Sequence, residues 1–392
     1  MKKIFTLAIL TFIITSTITS DIFAIPAFAR KYNMTCKTCH SPFPKLKSYG
    51  EEFAGNGFVL KDQDAPRYFV DTGDETLSLI RDLPIALRLE GFVTYNKTKS
   101  KQFDFFGPSA LKLLSGGNLG GDISYYIYYI LEEGDIGKIE DAFIMFNDLF
   151  GSGLDIAIGQ FQVSDPLFKR ELRLTREDYL IYKLKPGYSN INLTYDRGVV
   201  LSYGFPTGTD LSFEVVNGSG IGSIFSNDNF DNDKYKNFFG RISQDVIEEL
   251  RIGAFGYFGK EEIENTILST KCVNEIKMYG ADATIVFDPL ELNLQFLERR
   301  DNDPFALGPA NPEIKSRGGF AELIFTPMGD DSKWYSVAIF NYIDSNIDLY
   351  DFKSGSLHIG YLARRNIRLV AEYGYDFKDK FGQISFGFIA AY

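Results

Sequence analysis

From Leu83 to the last residue the sequence keeps an apolar residue at every second position, segment after segment. Ile85, Leu87 and Leu89 alternate with Arg88 and Glu90; Ile123, Tyr125, Ile127, Tyr129 and Leu131 share one parity. The same holds for Leu154/Ile156/Ile158, Ile191/Leu193/Tyr195, Leu211/Phe213/Val215, Leu290/Leu292/Leu294/Phe296 and Ile367/Leu369/Ala371/Tyr373/Tyr375. Successive side chains of a strand point to opposite faces, so each segment is a strand with one apolar and one polar face. Antiparallel strands with apolar residues towards lipid and charged ones towards a wet lumen form a transmembrane barrel. The 310 residues from Leu83 to Tyr392 hold about 16 strands at ~10 residues per membrane strand plus turns, within a range of about 14 to 18.

A water-soluble β-sandwich also alternates. The membrane reading is favoured by 36 Phe, 23 Tyr and 36 Gly, with aromatic residues at strand ends where an interfacial girdle sits. The final strand, Ile384, Phe386, Phe388, Ala390, Tyr392, keeps period two to a terminal aromatic, as outer-membrane barrels do. Short turns such as Asp288-Pro289 are expected to face the periplasm. The polar segments Ser226–Lys236 and Arg300–Ser316 are expected to face outside.

The chain opens with Lys2-Lys3, an apolar run from Ile4 to about Ile18, and a small residue at Ala24. This is the pattern of a secretory leader, expected to be removed after Ala24, with Ala29 as a rival site. The run is shorter than the ~20 residues a spanning helix needs, and no later stretch reaches that length. Net charge is -11; Lys2, Lys3 and Asp21 carry +1 between them, so the exported chain stands at -12. That argues against nucleic acid as a partner.

One motif lies outside the repeating pattern. Cys36-Lys37-Thr38-Cys39-His40 has the spacing at which two thiols add to the vinyl groups of a haem and the next imidazole reaches the iron. Zinc and thiol-redox sites also use Cys-x-x-Cys. A zinc site needs further ligands, and this chain has 3 Cys and 2 His in all. A thioredoxin-like site needs a βαβ setting, which is absent. The reading is therefore one covalent haem c, bound by Cys36 and Cys39 with His40 as proximal ligand. Leu46, Tyr49 and Phe53 have helical spacing, which predicts a helix from Pro44 to about Ala54, ended by Asn56-Gly57, with its stripe on the haem. The expected organisation is a leader (1–24), a haem plug (25–75) and a barrel (76–392). The acidic residues of 61–82, among them Asp62, Asp64, Asp71, Asp74 and Glu75, read as a linker or lid.

The run Pro26-Ala27-Phe28-Ala29-Arg30, Cys36-x-x-Cys39-His40, Pro44-x-Leu46, Tyr49-Gly50, Phe53 and Asn56-Gly57-Phe58 resembles the fused monohaem cytochrome–porins of bacterial outer membranes. These include proposed ferrous-iron oxidases. Gly159 to Val163, Arg170 to Thr175 and Asp178-Tyr179 resemble a strand and loop of the same barrels. Lys47 departs from the asparagine that the family pattern places after the leucine. The resemblance implies a small haem segment plugging the mouth or lumen of an all-β barrel. It also implies an electron path from an extracellular donor, Fe(II) being the suggested one, to a periplasmic carrier. The alternative is a porin or channel in which the haem segment is a structural or gating plug. A soluble periplasmic carrier with a β-domain is a third reading.

The sixth haem ligand is open. His358, the other histidine, has lumen parity between Ser356 and Gly360, so it is either a distal ligand or a lumen polar residue bound to water. Met34, Met145, Met278 and Met328 are further thioethers. Arg30 and Lys45 are read as surface cations or propionate contacts. Arg88, Glu90, Arg364, Arg368 and Glu372 are read as lumen ion pairs, and Cys272 as inert packing. Asp228, Asp231, Asp233, Asp301 and Asp303 are read as solvated loop residues or a means of gathering Fe(II). No acid–base pair for catalysis is evident, so the enzyme reading reduces to a possible ferrous-iron oxidase.

Overall fold

The computed structural model describes residues 27–32, 34–60, 69–74, 77, 79–81, 83–96, 102–132, 137–222, 230–231, 233–265, 267–308 and 313–392. The expected leader, its cut after Ala24, and Pro26, Asp62, Asp64, Glu75 and Asp228 lie outside these residues.

Sixteen strands, from β3 (Ile85–Asn96) to β18 (Phe381–Ala391), pair antiparallel in sequence order, and β18 closes on β3. Backbone hydrogen bonds in both directions between Leu87 and Tyr392 (2.6 and 2.8 Å) carry the seam to the terminal residue. The closed sheet leaves no edge with unpaired backbone groups, which is the condition for strands in lipid. No described helix is long and apolar enough to cross a membrane.

The expected parity holds around the wall. In β16 (Phe352–Arg364) Leu357, Ile359 and Tyr361 are 53%, 49% and 47% exposed on the outer face, while Ser356 and His358 are 7% and 1% exposed on the inner face. Phe287, Trp334, Tyr361 and Tyr392 are exposed near the short-turn end of the barrel. Phe103, Phe105, Tyr342 and Phe377 are exposed towards the opposite end, so aromatic residues flank the apolar band on both sides.

The lumen is not the wet space that alternation alone suggests. The 163–194 segment, between β7 (Leu154–Gln162) and β8 (Tyr195–Gly204), folds inward. Its Val163, Tyr179, Ile181, Tyr182, Ile191 and Leu193 pack against Phe239, Phe255, Tyr257, Met278 and Phe320 of the inner wall. Ile191 and Leu193 therefore precede β8 and point into this core; their alternation reflects the inner loop, not a lipid-facing strand.

The N-terminal segment comprises α1 (Ala27–Tyr32), a 3-10 turn at Cys36–Thr38 and α2 (Ser48–Gly55). The second helix starts four residues later than the spacing predicts. Residues 40–46 instead double back, with His40 bridged to Leu46 and the Lys47 N–H donating to the Cys39 carbonyl (2.8 Å). Asn56 and Gly57 end it as expected, Gly57 at φ +65°. A two-stranded hairpin, β1 (Phe69–Val70) with β2 (Leu79–Ile80), occupies the linker region.

Candidate functional site: the Cys36–His40 turn and the lumen behind it

The backbone N–H groups of Cys39 and His40 both donate to the Cys36 carbonyl, at 3.3 and 2.9 Å. This tight turn brings two free thiols and an imidazole onto one short helical arc. Burial pushes both thiols above their ordinary range, so they stay protonated at neutral pH. His40 Nδ1 lies 2.8 Å from the Pro44 carbonyl oxygen. A proton on Nδ1 makes this a hydrogen bond and leaves the lone pair on Nε2, the arrangement that orients a metal-binding histidine. Burial, aided by the charge of Arg368, pushes this imidazole down to about 4, so it is neutral at physiological pH. Two thiols, a neutral imidazole with a fixed tautomer and a partly buried turn are the donor set that a c-type haem requires.

Gly50 of α2 sits directly on the turn: a Cβ there would lie 2.4 Å from the Cys39 carbonyl oxygen. Phe53 does not face the turn. It closes a small aromatic core with Phe28 (5.4 Å), Tyr32 (5.6 Å) and Phe58 (6.0 Å). Tyr49 is exposed, so the expected apolar stripe along α2 is interrupted.

The segment closes the short-turn mouth. Phe58 stacks on Tyr126 of the barrel wall at 5.1 Å, and Gly57 approaches Ser124 and Asn147 too closely for any side chain. Lys37 pairs with Asp331 and Lys47 with Asp330, both on the turn between β14 (Ile314–Phe325) and β15 (Trp334–Ser345). Hydrogen bonds from these lysines hold both carboxyl groups below the usual carboxylate range. Lys45 pairs with Glu291, and Arg30 donates to the Ile85 carbonyl. Lys45 and Arg30 are thus engaged in docking the segment to the barrel.

Behind the turn lies a chain of ring and charge contacts. The Phe43 ring is 4.8 Å from the His40 ring, and the Arg368 guanidinium is 5.8 Å from the Phe43 ring. Arg368 Nη1 donates to the Tyr335 hydroxyl (2.7 Å), and that hydroxyl is 3.5 Å from His358 Nε2. His358 Nδ1 is 2.9 Å from Glu372 Oε2. Glu372 also accepts the backbone N–H groups of Arg176 and Glu177 (2.6 and 2.9 Å), which ties the inner loop to the wall. Both nitrogens of His358 are thus engaged with lumen neighbours. Leu362 and Arg365 complete a rim around a void of about 10 Å³ shared with Cys36, His40 and Phe43.

The ion pairs read from the sequence are partly rearranged. Arg88 pairs with Glu90 (2.7 Å), and Lys112, which the sequence reading did not single out, joins them (3.3 Å). Arg364 is exposed beside a turn, Glu372 takes His358, and Arg368 has no carboxylate partner among the described residues. Asp301 is held by buried Arg299 through two 2.7 Å contacts, and Asp303 accepts from the Leu307 and Gly308 N–H groups. Asp231 pairs with Lys236, and Asp233 accepts from Tyr235 and Glu262 N–H groups. These carboxylates build the loops. Cys272 contacts the Asp303 carbonyl at 3.6 Å, Met278 lies in the lumen core and Met328 is exposed. The sequence reading missed the inner loop's apolar role and the Pro44 carbonyl. Pro42-Phe43-Pro44 directly after His40, at a length too short to leave the turn, is the signal for the second.

No family model matches the sequence, and no curated protein matches it. Solved structures do match in fold. OmpT of Vibrio cholerae, as a loop L8 deletion mutant, aligns with a TM-score of 0.56 at 11% identity, over 79% of this chain and 99% of that one. An anion-selective porin from Comamonas acidovorans gives 0.56 at 10% identity with the same coverages. The outer-membrane channel DcaP of Acinetobacter baumannii gives 0.56 at 13%, over 79% of this chain and 97% of its own. The chain is thus an all-β, 16-stranded barrel of the outer-membrane porin type, and its apolar outer face is in contact with lipid.

Proposed function

We propose that this outer-membrane barrel carries one covalent haem c at its periplasmic mouth, held by Cys36 and Cys39 with His40 as proximal ligand, and that it transfers electrons there. The observation that carries this reading is the Cys36–His40 turn with His40 Nδ1 fixed on the Pro44 carbonyl. A haem held at this turn supplies one-electron redox chemistry. The residues of the chain orient it: Cys36 and Cys39 tether, His40 presents Nε2, and Gly50 lets α2 lie flat against the turn. Seating a macrocycle requires the rim of Phe43, Leu362 and Arg365 to move, because the void between them is about 10 Å³. The electron donor in this reading is extracellular, Fe(II) being the candidate, and the acceptor a periplasmic carrier. The resemblance to fused cytochrome–porins supports this assignment.

The comparisons by themselves favour a second reading, a solute channel with the N-terminal segment as its plug, because the similar structures include an anion-selective porin and an outer-membrane channel. Against a constitutively open pore stand the docked segment and the apolar packing of the 163–194 loop across the lumen.

The test is to produce the protein in a host able to mature c-type cytochromes and purify it from outer membranes in detergent. The expected result is haem that survives denaturing electrophoresis and a spectrum that reduces on adding Fe(II). Absence of covalent haem, with ion conductance in planar bilayers, would establish the channel reading instead.

A further inference from the structure

We propose that Arg368, on β17 (Ile367–Asp376), is a carboxylate clamp that grips a propionate of the haem. The inference rests on the haem reading above.

A buried guanidinium ordinarily spends all its N–H groups, because leaving them unpaired in a low dielectric is costly. Arg368 is 1% exposed and uses Nη1 on Tyr335. Its Nε and Nη2 have no hydrogen-bond partner among the described residues. These two atoms form the side-on edge of the guanidinium, the parallel pair of donors that takes both oxygens of one carboxylate. Among the described residues the other buried arginine shows the contrast: Arg299 places Nε and Nη2 on Asp301 at 2.7 Å each. Arg170 places the same two atoms on Asp178, at 3.0 and 2.6 Å. Arg368 presents that edge with no protein carboxylate to receive it.

Position points to the ligand. Arg368 stands over the Phe43 ring, which also makes an edge contact with the His40 ring. Glu372, the nearby acid on the same strand, is already occupied by His358 and two backbone N–H groups. Tyr335 holds the guanidinium in place through its hydroxyl. A carboxylate carried by a group anchored at Cys36, Cys39 and His40 can take this edge once the Phe43 ring moves aside to seat that group. Lys45 and Arg30, read from the sequence as possible propionate contacts, are engaged elsewhere.

The shared chemistry is a carboxylate, and it has two sources: a haem propionate, or a small dicarboxylate diffusing through the lumen. The experiment is redox titration of the haem-loaded full chain in detergent, comparing wild type, R368Q and R368K. Succinate is the soluble probe, and heat-modifiable gel migration confirms barrel assembly. The clamp predicts that R368Q keeps its haem but shifts towards the oxidised form about tenfold, a fall of about 59 mV for one electron. Losing a cation beside the haem favours its more positive state. R368K, which retains charge without the fork, recovers most of the shift. Succinate moves none of the three. Should R368Q not assemble, R368M, similar in volume and without donors, carries the same expectation. An unchanged potential in the neutral variant overturns the clamp while leaving the haem intact. A succinate-dependent potential in wild type that R368Q abolishes overturns the propionate assignment in favour of a solute site. Wild type without covalent haem overturns the clamp together with the reading on which it rests.

Discussion

His40 Nδ1 and the Pro44 carbonyl oxygen stand 2.8 Å apart, closed by a backbone that turns back on itself within seven residues. The bond fixes which ring nitrogen is free. His40→Ala is therefore expected to leave the thiols able to tether a haem while losing its proximal ligand. The visible spectrum should change to that of a weakly ligated iron, and haem stain on a denaturing gel should persist. Replacing both Cys36 and Cys39 with serine should abolish the stain. A double serine variant that still carries haem after denaturation would refute the tether.

Gly50→Ala should loosen the turn without harming the barrel. The added methyl would sit 2.4 Å from the Cys39 carbonyl oxygen, a contact that forces backbone to shift. Overpacking of this kind costs about 1–3 kcal/mol. The expected outcome is faster proteolysis of the N-terminal segment and lower haem content, with unchanged heat-modifiable migration of the barrel.

Docking of the segment should weaken in acid and in salt. Lys47 and Lys37 hold Asp330 and Asp331 below their ordinary range. A carboxyl group depressed in the docked state contributes stability that is present above its ordinary value, about 3.9. That contribution is lost as pH falls through the depressed value. Both acids are largely exposed, so salt screens the pairs as well. Limited proteolysis should show cleavage before α2 rising below about pH 4 and in 1 M salt. Asp330→Asn with Asp331→Asn should reproduce the acid effect at neutral pH.

His358→Ala is expected to leave the haem spectrum unchanged, because both imidazole nitrogens serve Glu372 and Tyr335. It should lower barrel stability by about 1–3 kcal/mol through the hydrogen bond taken from buried Glu372. A conversion from low to high spin in this variant would instead identify His358 as the distal ligand.

Leu357→Lys places a charge on the lipid face beside His358 on the same strand. Such a substitution near the membrane midplane costs about 2–4 kcal/mol. Outer-membrane assembly should drop, whereas Ser356→Lys, one residue away and facing inward, should tolerate insertion better.

Much of this was legible before any coordinates. The alternation around Leu357, His358 and Ile359 gave the correct faces, because a strand's parity is local and a membrane rewards only one of its two settings. The estimate of sixteen strands followed from strand length against bilayer thickness. The Pro44–Ala54 helix was displaced to Ser48–Gly55, because the His40–Leu46 bridge claims residues that spacing alone assigned to its first turn. Ile191 and Leu193 read as a strand because two-residue alternation does not distinguish a lipid-facing wall from a loop pressed into the lumen.

The sequence by itself determined the wall and the motif: a repeating dyad from Leu83 to Tyr392, and the Cys36–His40 spacing that places two thiols and an imidazole on one turn. Both are properties of near neighbours along the chain. Only the tertiary structure decided where that turn sits, what fills the lumen and which arginine is left with a free edge. Lys37 and Asp331, Arg368 and Phe43, and Tyr179 and Phe320 are each separated by more than a hundred residues and meet only once the barrel has closed.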